Sequence, residues 1–438
     1  MVLWHPLKTP IERKVCGHKK INAAPPLILC CSFLILITLG ALALKLPFAT
    51  YEPISWIQSA FTATSAVTVT GLDVVDTGSV FTPFGQSVIA LLIQLGNKVG
   101  FIQKTVTKAA FNQTDTSTLV NTAKSVLLFA LIVESIGVVI LTLYWLPEMG
   151  LQKSFFHALF YTISAFNNAG FALSPNSLMQ YVEDPVVNLT ITGLFIIGGL
   201  GFTVLMDLYK SKRWAKLSPY SKLMLISTVI INVIALLLIY AIEYDNPKTL
   251  QPLSEVGKWL AAWFQAVTPR TAGFNTIAIE ELKNASTALT MMLMFIGGGS
   301  LSTASGIKVV TFIVLILATY SYLRRDKGVT VLRREIDKES VYKALALTII
   351  SAGVTWLAIF TLLVVEDAPF LDIAFEAVSA LGTVGLSRGL TSSLSPLGEF
   401  IIMFLMFMGR IGPLTIAYFL ASPRTKKLRY PSAQLSIG

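Results

Sequence analysis

Charge and cysteine are both scarce in this chain. Only 13% of its 438 residues are Asp, Glu, Lys or Arg, against 54% hydrophobic, and the mean hydropathy is +0.69. Soluble domains carry about 25% charged residues, so the composition excludes a soluble protein and indicates an integral membrane protein. Of three cysteines, Cys30 and Cys31 are neighbours in an apolar run and Cys16 stands apart, which excludes a disulfide framework or a thiolate metal site. The three histidines, His5, His18 and His157, have no partner at ligand spacing. No strand followed by G-x-G-x-x-G occurs, so the chain has no nucleotide-binding fingerprint of its own.

What is present is apolar length. Runs able to cross about 30 Å of hydrocarbon lie near 26–44, 125–146, 188–209, 221–242, 287–323, 343–364 and 397–421, with a shorter one at 83–95. A cleaved signal peptide at the first run is disfavoured, because the run is long for a signal core and belongs to a repeat. Basic residues fix a topology. Residues 1–25, 98–124, 210–222, 324–343 and 424–429 together hold 25 of the 34 Lys and Arg, and the positive-inside rule puts them in the cytoplasm. Both termini are expected there, and the net charge of +10 reads as this bias, with no nucleic-acid binding. The basic face suits anionic membrane lipid or a soluble partner.

One pattern occurs four times, as Ser55 to Leu72, Ser154 to Phe171, Gly257 to Phe274 and Pro369 to Leu386. In each, a short amphipathic helix runs into a glycine: Gly71, Gly170, Gly273 and Gly385, spaced 99, 103 and 112 residues apart. An aromatic residue (Phe61, Phe160, Trp263, Phe375) stands ten places before each glycine. The short helices cannot span, so they enter and leave on one side, which hydrocarbon tolerates only where protein or water covers the backbone. The alternative, four helices lying on the membrane surface, explains the aromatic column and the Ser/Ala-rich ends less well. The expected fold is all-α integral membrane, with four helix–re-entrant pore loop–helix repeats around a pseudo-four-fold pore. Their bounds are approximately 1–111, 112–212, 213–335 and 336–438.

A dehydrated monovalent cation needs oxygen ligands, and rings of main-chain carbonyls supply them. Glycine allows the required backbone angles without a Cβ in the path. The candidate ion-binding residues are Val69, Thr70 and Gly71; Asn168, Ala169 and Gly170; Thr271, Ala272 and Gly273; and Thr383, Val384 and Gly385. Short helices aiming their carboxyl ends at the pore would favour cations, and the glycine column carries no charge. Arg270, next to the third segment, is expected to turn away and find acceptors in the surrounding protein.

Two exit segments depart from a plain span. In the third repeat, Gly297, Gly298, Gly299, Ser300, Ser302, Thr303, Ser305 and Gly306 interrupt the run, predicting a mid-membrane loop below the filter with a helix resuming at Lys308. The alternative is a small-residue packing face. In the first repeat the apolar exit run stops before Asn97-Lys98. Either that helix is shortened, or it continues through 111 with snorkelling lysines, or a segment is missing. Arg410 is the only charge deep in the last helix. Facing the glycine-rich loop it would be an electrostatic barrier; the alternative is a carbonyl-bound structural arginine.

At TVTGL (68–72), FNNAGF (166–171), TPRTAGF (268–274), GGGSLSTASGIK (297–308), GTVGL (382–386) and GRIGPL (409–414) the chain resembles the Trk/Ktr/HKT superfamily of potassium transporters, and within it the bacterial Ktr-type membrane subunit. The resemblance implies potassium uptake across the bacterial plasma membrane, often sodium-stimulated, by a homodimer with one pore per protomer. It also implies gating by a cytosolic ring of RCK subunits, which would bind ATP, ADP or another nucleotide, leaving this chain with no cofactor. Residues 297–306 would be the gate, with Arg410 beside it. An alternating-access sodium/potassium symporter is the alternative within transport. A polytopic membrane enzyme is a third class, but the sequence offers it only isolated candidates, Glu134 and Arg410.

Overall fold

The computed structural model describes residues 25–112, 116–300, 302–326 and 328–412. The expectations for the N-terminal residues, the 424–429 basic cluster and the GRIGPL residues beyond 412 lie outside them. The chain forms α1 (Pro25–Leu44), α2 (Trp56–Thr68), α3 (Thr77–Val80), α4 (Pro83–Asn112), α5 (Thr116–Met149), α6 (Leu151–Phe166), α7 (Pro185–Leu200) and α8 (Phe202–Ser211). There follow α9 (Pro219–Glu243), α10 (Glu255–Val267), α11 (Asn284–Phe295), α12 (Val309–Leu323), α13 (Lys338–Val365), α14 (Phe370–Gly382) and α15 (Pro396–Ile411). Between α12 and α13 lies the one named sheet among the described residues, a hairpin of β1 (Val329–Val331) and β2 (Arg334–Ile336). Its turn residues Leu332 and Arg333 both have positive φ, matching the right-handed twist of a two-residue hairpin.

Starts are written locally. Asp184, Ser218 and Ser395 cap α7, α9 and α15, each directly before a proline that needs no N–H in the first turn. Ser55 and Gln58 form a reciprocal capping box at α2, with bonds of 3.1 and 2.8 Å.

Burial separates two classes of helix. Among the described residues four are long and apolar enough to cross a membrane: Leu27–Leu44, Lys124–Met149, Pro219–Glu243 and Lys338–Val365. Leu131, Leu143, Val229, Ile349, Trp356 and Phe360 on these helices are all exposed, a continuous apolar surface that lipid would cover. The short helices α2 and α14 are buried along most of their length, and Phe61, Phe160 and Phe375 lie fully inside. Trp263 is half-buried and donates its indole N–H to Thr192 Oγ1 at 3.3 Å. Each short helix packs against the long helix before it: α1 with α2, α5 with α6, α9 with α10 and α13 with α14. Contacts of α4 with α6, α7 with α10, α11 with α14 and α15 with α2 link the four groups into a circuit.

Three of the expected runs behave differently from a straight span. The 287–323 run is broken where predicted: α11 ends at Phe295 and α12 starts at Val309, with Lys308 as its N-cap. The 188–209 run bends by 95° at Gly201, whose φ is +96°. The first repeat needs a correction. Its exit helix is neither shortened nor lacking a segment, since α4 is one helix of 30 residues, about 45 Å long at 1.5 Å per residue. Asn97 and Lys98 interrupt the hydropathy there but not the hydrogen-bond ladder.

A recurrent backbone contact aligns these exit helices. A Cβ on Gly96 would collide with the Val67 carbonyl, on Gly198 with that of Phe166, and on Gly409 with that of Leu381. Each of those carbonyls belongs to the residue four places before a loop glycine. Three exit helices therefore lean directly on the ends of three short helices, closer than any side chain permits. Gly96→Ala is expected to destabilise the protein by about 1–3 kcal/mol, the usual range for overpacking. Gly193→Ala, where a Cβ would meet nothing within 4 Å, should be neutral or stabilising; denaturation temperatures in detergent compare the two.

Candidate functional site

The four glycine segments meet. A Cβ built on Gly71 would lie 3.0 Å from the Cα of Gly170, one on Gly170 2.9 Å from that of Gly273, one on Gly273 3.4 Å from that of Gly385, and one on Gly385 3.0 Å from that of Gly71. The four therefore form a closed ring. Each also faces a carbonyl of the residue just before the next glycine: Ala169, Ala272, Val384 and Thr70 in turn. No residue other than glycine fits these positions, because every one has φ between +72° and +91° as well as backbone in the Cβ direction.

Two places before each glycine the backbone is left-handed again, at Val69 (φ 58°), Asn168 (60°), Thr271 (80°) and Thr383 (49°). Asparagine tolerates this region, but β-branched residues there are true outliers, each costing about 1–3 kcal/mol. The segments are held in it by the short helices. Thr70 N–H bonds the Ser65 carbonyl, Ala169 N–H that of Ser164, and Val384 N–H that of Ser379, at 2.8, 2.8 and 2.9 Å. The serine hydroxyls add a second tie. Ser65 Oγ and Ser379 Oγ accept from the N–H groups of Gly71 (3.0 Å) and Gly385 (3.2 Å), while Ser164 Oγ donates to the Phe171 carbonyl at 2.8 Å. In the third segment Thr268 takes that place, donating to the Phe274 carbonyl. These hydroxyls were not foreseen from sequence, although a serine six residues before the glycine in three copies is a visible signal.

Beneath the ring lies the 296–308 loop. Its backbone is fastened to the second group of helices, where Gly299 N–H donates to the Gly199 carbonyl at 2.8 Å and Thr303 N–H to that of Gly198 at 3.3 Å, and to α9 of its own group, where Ser300 N–H donates to Tyr220 Oη at 3.2 Å. A Cβ at Gly201 would strike the Ser300 carbonyl, which explains why the bend in the second exit helix needs glycine. Thr303 Oγ1 donates to Asn168 Oδ1 at 2.8 Å, and Asn168 Nδ2 to Thr271 Oγ1 at 3.3 Å. Loop and ring segments are thus joined through one asparagine side chain. Gly297, Gly298 and Gly306 pack against the loop's own backbone or that of α7, while Ser302 Oγ bonds the Gly299 carbonyl at 2.7 Å.

Arg410 is 4% exposed and reaches this loop from α15. Its Nη1 donates to the Thr303 carbonyl at 2.6 Å and to Ser305 Oγ at 3.3 Å, and Nη2 donates to Asn97 Oδ1 at 3.1 Å. Among the described residues no carboxylate forms an ion pair with it. A cavity of about 390 Å³ opens beside it, bounded by Ser305, Gly306, Lys308, Gly382 and Gly409. Arg270 is buried, but the acceptors expected for it are missing for two atoms: its Nε and Nη1 have no hydrogen-bond partner among the described residues. In the fourth segment, buried Glu376 accepts from Ser387 Oγ (2.9 Å) and Thr391 Oγ1, bracing the chain just past Gly385.

Asn97, Asn167 and Gln94 were not singled out as site residues, yet they connect Arg410 to Glu134. For Asn97 a pattern is readable afterwards: Asn97, Gly199 and Arg410 each follow a glycine that packs on a short helix, and all three touch the loop or its arginine.

Residues 27–429 match the family TrkH, described as cation transport protein. The Ktr system potassium uptake protein B of Bacillus subtilis is 45% identical over 96% of this chain and 98% of its own length. The protein of that name from Vibrio alginolyticus is 40% identical, covering 96% of each. The potassium/sodium uptake protein NtpJ of Enterococcus hirae is 33% identical over 95% of this chain and 97% of its own. The crystal structure of the potassium transporter TrkH from Vibrio parahaemolyticus superposes with a TM-score of 0.78, at 20% identity, covering 93% of this chain and 87% of that one. A helical multi-pass membrane fold, a family match along most of the length and relatives aligned nearly end to end agree: the chain is an ion transporter and no enzyme, and it belongs to the TrkH family of cation transport proteins.

Proposed function

We propose that this chain carries potassium into the cell through a gated, channel-like pore whose selecting wall is the backbone of 69–71, 168–170, 271–273 and 383–385. The observation that carries the reading is the closed ring of four positive-φ glycines, each preceded two places earlier by a left-handed residue. Strain of that kind persists where surrounding structure enforces it for function. The four carbonyl-bearing ends of α2, α6, α10 and α14 add negative potential favouring a cation, and main-chain oxygens replace its water. Potassium as the ion rests on the names of the relatives at 45% and 40% identity. Sodium stimulation, or the alternative sodium/potassium symport, draws support from the relative named for both ions.

On this reading the 297–306 loop is the gate, with the Arg410 guanidinium held against it as a positive barrier. Termini in the cytoplasm put the glycine ring toward the outside and the 390 Å³ cavity toward the inside. The exposed basic residues Arg324, Arg325, Arg333 and Arg334 around the hairpin suit docking of a separate RCK-type ring, and nucleotide regulation would reside there. A homodimer follows from the same resemblance.

Proteoliposomes containing the full chain test the reading by potassium uptake with and without sodium. Gly385→Ser places a Cβ against the Thr70 carbonyl at a φ of +91°, so potassium flux is expected to fall about tenfold or more, with selectivity over sodium lost. Equal fluxes of the two ions through the unaltered chain, or indifference to the substitution, overturns it. Arg410→Gln removes the positive barrier and should raise potassium leak several-fold; unchanged leak rejects the gate.

A further inference from the structure

Glu134 is the one ionisable residue in the middle of α5, 7% exposed and inside a membrane-spanning helix. Such a residue is expensive to place and demands a partner. No cation forms an ion pair with it among the described residues; Lys98 lines the same narrow crevice without reaching it. Its partners are amides. Gln94 Nε2 donates to both carboxylate oxygens at 3.0 and 3.2 Å, and Asn167 Nδ2 donates to Oε1 at 3.3 Å.

From there the bonds run on in one direction. Asn167 Nδ2 also donates to Gln94 Oε1 at 2.7 Å and to the Ile163 carbonyl at 2.8 Å, so its oxygen is the end left to face Asn97. Asn97 Nδ2 donates to that oxygen at 2.6 Å, which turns its own Oδ1 toward Arg410 Nη2 at 3.1 Å. The chemistry of the two ends sets this polarity. A carboxylate only accepts and a guanidinium only donates, whereas an amide between them can point either way. The Ile163 carbonyl and the Arg410 guanidinium fix the orientation of Asn167 and Asn97, while Gln94 and Glu134 share the second hydrogen of Asn167 Nδ2.

We propose that Glu134 is a positioning residue for the gate: through Asn167 and Asn97 it orients the acceptor that holds Arg410 against the 303–305 loop. With Gln94, the carboxylate anchors the Asn167 side chain whose oxygen holds Asn97, and so supplies from α5 a constraint felt at Arg410. Glutamine at 134 keeps one acceptor but loses the charge and the second acceptor, which weakens the hold on Gln94 and Asn167 and, through them, on Asn97. With Asn97 held less firmly, the guanidinium loses its hold on one side.

This inference rests on the reading of Arg410 and the loop as the gate, and the test separates the two. Potassium leak from proteoliposomes is measured for the unaltered full chain, Glu134→Gln, Arg410→Gln, the pair combined, and Glu134→Gln combined with Asn97→Asp. Glu134→Gln is expected to raise leak about tenfold, the factor for losing one charge-assisted hydrogen bond. It should add nothing in the Arg410→Gln background. Asn97→Asp places an acceptor-only group directly on the guanidinium, so it should return the leak of Glu134→Gln toward the unaltered level, a rescue that a merely structural role for Glu134 would not give. Unchanged leak in folded Glu134→Gln, an effect that adds to that of Arg410→Gln, or absence of rescue overturns the positioning role alone. No effect of Arg410→Gln overturns the gate reading, and this role with it. Should Glu134→Gln not fold, Asn167→Ala cuts the relay between Glu134 and Asn97 and carries the same expectations and the same overturning results.

Discussion

Backbone-on-backbone contact without an intervening Cβ is the constraint on which the rest depends. Gly71, Gly170, Gly273 and Gly385 approach one another's Cα atoms and carbonyls, and Gly96, Gly198 and Gly409 bring the exit helices onto the ends of the short helices. Apolar side chains in lipid give no hydrophobic drive between helices, so close packing and internal hydrogen bonds must supply it. The glycines make that packing available at the centre, while bulky residues such as Leu143 and Phe360 occupy the periphery. The third group breaks the pattern. Its exit glycines pack on the loop and on α7 instead of on a short helix, and there the helix is interrupted.

That exception gives the centre its asymmetry. The loop from the third group is tied to Gly198 and Gly199 of the second, to Arg410 of the fourth, and through Arg410 to Asn97 of the first. Its ties to the other groups combine neutral bonds with one charged side chain, Arg410, while Lys308 Nζ bonds the loop's own carbonyls at Ala304 and Ser305. Neutral bonds of this kind contribute about 1 kcal/mol each, so the buried charge is the strongest single element and the one most sensitive to its surroundings.

Much of this was legible from spacing alone. The glycine register, the break at 296–306 and a restart at Lys308, which is the cap of the helix that begins at Val309, follow from residue types whose backbone preferences are strong. The sequence left the continuity of α4 as one of three alternatives, because Asn97 and Lys98 lower hydropathy while leaving helix hydrogen bonds intact. The 95° bend at Gly201 was hidden as well: a glycine in an apolar run has no local mark distinguishing a packing site from a break, and here the Ser300 carbonyl decides it. The Glu134-to-Arg410 relay joins residues up to 313 positions apart, beyond any periodicity. Arg270 shows the opposite case, an expected set of acceptors that is only partly present.

The ring is built from one polypeptide, so its four walls are separately heritable. In an assembly of four identical subunits, a single codon change alters every wall at once; here it alters a quarter of the circumference. Valine, asparagine and threonine have accordingly settled at the equivalent left-handed positions 69, 168, 271 and 383, and among the described residues the side chain at these positions that bonds the loop is Asn168. Selection can therefore tune the coupling between wall and loop from one side while leaving the opposite arc of the ring untouched.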